Sequence, residues 1–340
     1  MTAPSDALRI VQINVWSGST YELKWSSLDF ASFETPAHRS LRFESLVTQL
    51  KILKPDVITL NECMPCNKYV SKLSARLGYK SFRHIGVAGI VLGPLHVPSS
   101  KITEGDAILV APHLEATFLG RCRLTGRVYS PYFSLNVDDA TQALACRVVK
   151  GGRSFCVIST HWHASLISDA ETLAMIDAST DPSAPACRTA LLAGTRIRSG
   201  EALATAAFAN KVANEGDVVV ISGDLNTTHG TPEADIIVQQ GFEKATSLSG
   251  GEERPTWDPS NPNVKMQTRP ENQAGRGQLE NEVYAAFSKN PNRLDHTFVK
   301  VKGGGGMARA TAAVVMDGGP GGIVPADHYG LLVTVTPPPK

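Results

Sequence analysis

A sheet-on-sheet α/β sandwich with helices on its outer faces is the fold class this sequence predicts. Three observations lead there. Short apolar runs of strand length recur along the chain, they outnumber the helical segments, and strands and helices alternate rather than segregate. The first run, LRIVQIN (8–14), is followed by a helical pattern in which Phe43, Leu46, Val47, Leu50 and Leu53 recur at three- and four-residue spacing and stop at Pro55. DVITL (56–60) is the next strand, and Val70, Leu73 and Leu77 mark a helix that ends at Gly78. DAILVA (106–111) follows. ALACRVVKGGRSFCVIST then reads as a hairpin turning at Gly151-Gly152, its second strand being 155–160. Ala204, Phe208 and Val212 recur every fourth residue on a helix that runs into DVVVIS (217–222). Thr231 before Pro232 is a helix start, with Gly241 as its stop. DHTFVK (295–300) and YGLLVTV (329–335) complete the strands.

Neither repeats nor an interdomain linker interrupt the 340 residues, so one domain over 1–340 is expected. Segments near 83–105, 164–200 and 247–292, rich in Pro, Gly, Ser and Asn, read as long loop insertions. The glycine runs at 303–306 and 318–322 read as turns, because no Lys-Ser/Thr and helix follow them as a phosphate cradle requires.

Composition bounds the function loosely. Hydrophobic residues make up 42% and charged residues 19%, and the net charge of +1 provides no global field for nucleic acid or an anionic membrane. The start MTAPSDALRI lacks a secretory pattern and no run is long enough to span a bilayer, so a cytoplasmic monomer is expected. Six cysteines are too sparse for a disulfide scaffold. Cys63 and Cys66 lack the second pair a zinc site needs, which leaves free thiols.

The chemistry lies where polar residues meet strand ends. Asn14 ends the first strand, Glu62 follows the second, His161 follows FCVIST, and Asp224 with Asn226 follows DVVVIS. Asp295 opens DHTFVK, and Asp327-His328 precedes YGLLVTV. If the last two strands run antiparallel to the others, all these groups converge on one rim. Carboxylates packed so closely call for a hard divalent cation, Mg²⁺ with Mn²⁺ as a substitute, held by few carboxylates plus water and substrate oxygens. Zinc is disfavoured, since the H-x-H of His161 and His163 is its only candidate cluster. A cation, histidines and amides together suit phosphoryl transfer to water.

The ordered motifs QINVW, PDVITLNE, GDAILV, STHWHA, GDLN, RLDHTFV and ADHYGLLV resemble the endonuclease/exonuclease/phosphatase superfamily over nearly the whole chain. That resemblance implies a deoxyribonuclease-like, four-layered sandwich of two packed mixed sheets flanked by helices. It also implies a Mg²⁺-dependent phosphodiesterase in which water attacks phosphorus directly. Carried over by position, Glu62 is the principal metal ligand, with Asn14 beside it and Asp327 close by. Asp224 orients water or metal, and Asn226 donates to a non-bridging oxygen. His328 is the general base or its electrostatic equivalent, oriented by Asp295, while His161 serves the phosphate or the leaving group. Ala326 stands where the superfamily usually has serine.

STHWHA, NVW and PTWDPSNPN are similar to the neutral sphingomyelinase branch, which implies a phospholipid headgroup as substrate and peripheral membrane contact. A nuclease or DNA-repair phosphodiesterase is the alternative, and a non-catalytic binding member of the fold a remote third. Trp257, in a polar loop, reads equally as a stacking platform or as packing. Arg254, Arg269 and Arg293 are phosphate contacts only if their loops reach the rim, and His229 is read as facing solvent.

Overall fold

The computed structural model describes residues 6–24, 27–87, 90–92, 95–97, 104–125, 127–129, 134–136, 141–228, 231–249, 253–269, 277–304, 306–318 and 322–339. From the N-terminus come β1 (Leu8–Asn14), β2 (Ser19–Lys24), β3 (Ser27–Ser32), α1 (Pro36–Leu53), β4 (Val57–Cys63) and α2 (Cys66–Leu77). Next are β5 (Lys80–Val87), β6 (Ile90–Leu92), β7 (Leu95–Val97), β8 (Glu104–Val110), β9 (Glu115–Arg123), β10 (Arg127–Tyr129) and β11 (Ser134–Asn136). The middle of the chain forms β12 (Gln142–Lys150), β13 (Arg153–His161), α3 (Ala170–Asp177), α4 (Ala184–Val212) and β14 (Val218–Asp224). The last third adds α5 (Pro232–Gln239), β15 (Glu243–Lys244), α6 (Ala245–Ser249), α7 (Pro262–Gln267), α8 (Gln278–Phe287), β16 (Asp295–Val301), β17 (Arg309–Val315) and β18 (Gly330–Thr336).

Two six-stranded sheets dominate, in the orders β17-β18-β1-β4-β8-β5 and β15-β16-β14-β13-β12-β9. Each is mixed: β1 and β4 pair in parallel in the first, β13 and β14 in the second, and the other described pairs within them are antiparallel. Three apolar clusters account for the layering. Phe43, Leu46 and Leu50 of α1 with Val70 and Leu73 of α2 pack on the outer face of the first sheet through Val11, Ile13, Ile58 and Leu60. Ala202, Ala206 and Ala209 of α4 with Ala234 and Ile237 of α5 pack on the second sheet through Ile158, Val219 and Ile221. Between the sheets lie Ile10, Val57, Ile108, Leu144, Val157, Val220 and Val333. The four-layered sandwich is therefore present, helices outside and two sheets within.

The period-2 rule governs what fills the middle layer. Along β1 the inward residues run Leu8, Ile10, Gln12, Asn14; along β4, Val57, Thr59, Asn61; along β13, Phe155, Val157, Ser159, His161; along β14, Val218, Val220, Ser222, Asp224. Strands β8, β12 and β16 run the opposite way and show the same change in reverse, with Asp106, Gln142 and Asp295 at the polar end. Every one of these polar side chains is buried. The layer between the sheets is thus oil at one end and hydrogen-bonding groups at the other, and the polar end is the rim.

The β12–β13 hairpin turns at Gly151 and Gly152, whose φ angles of 57° and 70° are the left-handed pair a two-residue turn demands, with Lys150 opposite Arg153. Several sequence readings need correction. Residues 164–200 are not a loop: they hold α3 and the first half of α4. Residues 247–292 contain α7 and α8, and 83–105 contain the end of β5 with the short strands β6 and β7. Residues 88–89, 93–94, 98–103, 250–252, 270–276 and 319–321, with His229, lie outside the described residues. Ala204, Phe208 and Val212 flank the buried stripe of α4, which is Ala202, Thr205, Ala206 and Ala209. All six cysteines are free, and burial pushes the Cys66 thiol up to about 12, so it is inert near neutrality.

Candidate active site

Antiparallel pairing does what convergence required. Asp224 at the end of β14 stands opposite Asp295 at the start of β16, and His161 at the end of β13 lies beside Asp224. β18 runs antiparallel to β1, so the Asp327-His328 segment arrives next to Asn14.

Glu62 needs a local break to join them. Strict alternation along β4 would send it to the helix side with Ile58 and Leu60. A bulge between Leu60 and Cys63, with Glu62 at φ 57°, turns its carboxylate into the rim. Trp16 and Asn226 also have positive φ, at 56° and 47°, so three of the five such non-glycine residues among those described surround this site.

The groups then interlock. Asn14 Nδ2 donates to Glu62 Oε1 at 2.8 Å and to Asp224 Oδ2 at 2.9 Å, while its oxygen accepts from Trp16 N. Glu62 Oε2 accepts from Ser17 N at 3.0 Å. Asp224 Oδ1 accepts from Asn226 N at 2.9 Å. His328 Nδ1 lies 2.7 Å from Asp295 Oδ2, and its Nε2 is 3.6 Å from Asp224 Oδ2. His161 Nε2 approaches the same oxygen at 3.8 Å and lies 3.2 Å from Asn226 Nδ2, which donates to the Trp162 carbonyl. Asp327 is buried, with Oδ1 lacking any hydrogen-bond partner. All eight residues singled out in the sequence therefore meet at one rim.

Electrostatics follow from this crowding. Burial opposes a charge on His161, but Asp224, Glu62, Asp106 and Glu104 outweigh it and lift its pKa from 6.5 to about 9. Burial opposes a charge on His328 too, yet Asp295, Asp224 and Asp327 hold it well above the ordinary range. Asp327 is pushed up to about 7, by burial first and then by Glu62 and Asp224. Acids this close to one another are a place for a cation. The carboxylates fit one: single oxygens of Glu62 and Asp224 lie within 4.8 Å of each other, and Asp327, whose charge both oppose, keeps an unpaired oxygen.

Beneath the rim lies a support that the sequence reading missed. Gln12 Nε2 donates to Asn61 Oδ1 at 2.7 Å and to Asp295 Oδ1 at 3.2 Å. Asn61 Oδ1 also accepts from Asp224 N, and its Nδ2 donates to Asp106 Oδ1 at 2.8 Å. Gln142 Nε2 reaches the other oxygen of Asp106. Thr256 Oγ1 takes the N–H groups of Leu294 and Asp295. Arg42, buried under α1, donates to the carbonyls of Val15 and Pro325, tying the exit of β1 to the segment that carries Asp327 and His328. The available signal was the polar residue at an inward position of an apolar strand, as in LRIVQIN and VITLNE.

Of the two readings of Trp257 the structure shows packing: it is buried, lies tilted against Phe287 at 5.5 Å between centroids and bridges to Asn292 and His328, so it offers no open face. Trp16 and Trp162 are buried packing residues. Arg293 is buried and donates to the Arg254 carbonyl, Arg254 pairs with Asp317, and Arg269 is exposed. His163 is half-buried, its N–H donated to Glu201 Oε2 at 2.8 Å.

Gly223, between Ser222 and Asp224, gives a sharp test of this geometry. A Cβ there would lie 1.8 Å from the Thr160 carbonyl oxygen on the adjacent strand. Gly223→Ala must therefore part β13 from β14 at the level of His161 and Asp224. The expected outcome is a loss of about 1–3 kcal/mol in a denaturant melt and about 10²-fold in turnover. A variant with wild-type melting and rate would show that the two strand ends are not held in this register.

No family model matches the chain, and no curated protein matches its sequence. Solved structures share its fold. TDP2 of D. rerio, complexed with a single-strand DNA product, aligns over 97% of this chain and 99% of its own at TM-score 0.58 and 16% identity. An endonuclease/exonuclease/phosphatase family protein of Bacteroides thetaiotaomicron aligns over 97% and 98% at TM-score 0.58 and 11% identity. Beta toxin of Staphylococcus aureus aligns over 96% and 99% at TM-score 0.55 and 19% identity. The fold implied by the sequence resemblance is thus the fold observed.

Proposed function

We propose that this protein is a Mg²⁺-dependent phosphodiesterase that hydrolyses its substrate by direct attack of water. One observation carries the reading: Glu62, Asp224, Asp295, Asp327, His161 and His328, drawn from five separate segments, meet at one buried rim with an unpaired carboxylate oxygen. Glu62, Asp224 and Asp327, with Asn14 holding the first two in place, are the residues that would keep a divalent cation there, and Mn²⁺ suits the same oxygens. Such an ion polarises a phosphoryl oxygen and screens its charge.

The chain's own groups divide the remaining work. The Asp224 carboxylate is the acceptor for a water proton as the water oxygen forms its bond to phosphorus. His328, held protonated by Asp295 and its neighbours, acts through its charge as a donor to the phosphoryl group, which is the electrostatic alternative to a general base. The Asn226 amide donates to a non-bridging oxygen, and His161 Nε2–H, 3.2 Å from that amide, is directed at the departing oxygen. As the bond from phosphorus to the departing alcohol breaks, His161 supplies the proton that the alkoxide needs.

For substrate, the sphingomyelinase-like motifs favour a phospholipid headgroup. A nuclease needs cations tracking the strand beyond the scissile phosphate, and the arginines Arg254 and Arg293 are engaged within the protein. The nuclease reading rests on the shared fold with the TDP2–DNA complex. Contact with a membrane would be peripheral, since no described helix is long and apolar enough to cross one. Side-by-side assays with Mg²⁺ on sphingomyelin vesicles and on supercoiled plasmid decide between them. Phosphocholine release without nicking is expected; nicking without release would transfer the reading to the nuclease, and neither reaction would return the chain to a non-catalytic binding role.

A further inference from the structure

The segment read as an insertion builds a cleft. Residues 164–166, the N-terminal turns of α4 and the start of α8 enclose about 460 Å³, a size common for small-molecule sites. Ala164, Leu166, Ala186, Ala190 and Leu191 are half of its ten described lining residues; Glu280 is the one charged lining residue among those described, and no described lining residue is cationic. Ala164, Ala186 and Ala190 are exposed, so the cleft opens to solvent, while Leu191 is buried in the small apolar core that α3, α4 and α8 share.

One wall of the cleft begins close to the rim. Ala164 follows His161 by three residues, a reach of at most about 11 Å between their Cα atoms. α4 holds the chain on both sides of Ala164: Glu201 takes the His163 N–H at 2.8 Å, and one turn earlier Arg198 donates to the Ser165 carbonyl at 3.2 Å. The wall therefore starts within that reach of His161 and is anchored to α4.

We infer that this cleft receives the apolar chain of the alcohol released from phosphorus, which makes it the specificity-determining subsite. The inference rests on the phosphodiesterase reading, in which His161 serves the departing oxygen. A chain on that oxygen, directed past His161, meets alanine and leucine, whereas a nucleic-acid strand would place phosphates against a wall whose one charge is a carboxylate. Hydrolysis itself is unchanged: water oxygen bonds to phosphorus, the bond from phosphorus to the alcohol oxygen breaks, and the freed alcohol carries its chain out of the cleft.

A homologous series of alkylphosphocholines with two, four, six and eight carbons tests it. With Mg²⁺ present, kcat/KM is expected to rise about three- to fourfold per methylene until the cleft is filled. Ala190→Trp, and independently Ala186→Trp one turn away, should flatten the series while leaving the two-carbon compound within twofold of wild type. A flat series in the wild-type protein, or a rise that both tryptophan variants preserve, overturns the inference. Calorimetric binding of the same compounds in EDTA separates the two levels. If nothing is hydrolysed but affinity climbs with chain length and Ala190→Trp abolishes the climb, the cleft stands and the hydrolase reading falls. Affinity independent of chain length removes the cleft whatever the turnover.

Discussion

Asp224→Asn is expected to lower kcat by about 10²–10⁴-fold, the range associated with losing a positioned proton acceptor, with little change in thermal midpoint. The substitution keeps shape and volume. What it removes is charge and symmetry. Both carboxylate oxygens face donors, Oδ1 the Asn226 N–H and Oδ2 the Asn14 amide, so an amide at this position must turn its own N–H₂ toward one of them. His161 and His328 lose the carboxylate that lies within 3.8 Å of both. Single-turnover rates on bis(p-nitrophenyl) phosphate, with circular dichroism melts as a control, give the comparison. Retention of more than about a tenth of wild-type kcat would remove Asp224 from the proton transfer assigned to it.

Much of this site was legible because strand ends are easy to read. β1 begins and ends at the predicted residues, and β14 and β16 do so within two. The decisive step was the assumption that the last strands run antiparallel, which the pairing of Asp224 with Asp295 bears out. Other features had no signature in a one-dimensional pattern. The first half of α4 reads as loop because its buried face is Ala184, Leu191, Gly194 and Arg198, a single leucine among small and charged residues that leave no apolar stripe. Arg198 is buried there because Glu233 from α5 meets it at 3.0 Å, a partner that only the fold supplies. Trp257 looked available because its neighbours in sequence are polar; Phe287, thirty residues on, covers it. Gln12, Asn61 and Asp106 were visible as polar breaks in apolar strands, but their function as a layer beneath the rim depends on two sheets facing each other.

Glu62 connects the local bulge to metal dependence. Its two oxygens are oriented by Asn14 Nδ2 and by Ser17 N, so the carboxylate stands preset in the rim beside Asp224. In Glu62→Gln one of those donors meets an N–H₂ instead of an oxygen, and a charge that would hold a divalent cation is gone. The Mg²⁺ concentration at half-maximal rate is expected to rise by at least the 10- to 100-fold seen when ligand-supporting groups are removed, with the fold intact.

That leaves one measurement above the rest: Mg²⁺ titration of EDTA-treated protein, reading phosphodiester hydrolysis in the wild type and in Glu62→Gln. Activity should fall by about 10³-fold or more on chelation, return in full with Mg²⁺ and with Mn²⁺, and require far more Mg²⁺ in the variant. Hydrolysis indifferent to EDTA, or a Glu62→Gln titration superimposable on wild type, contradicts a rim built to hold a cation against a phosphate.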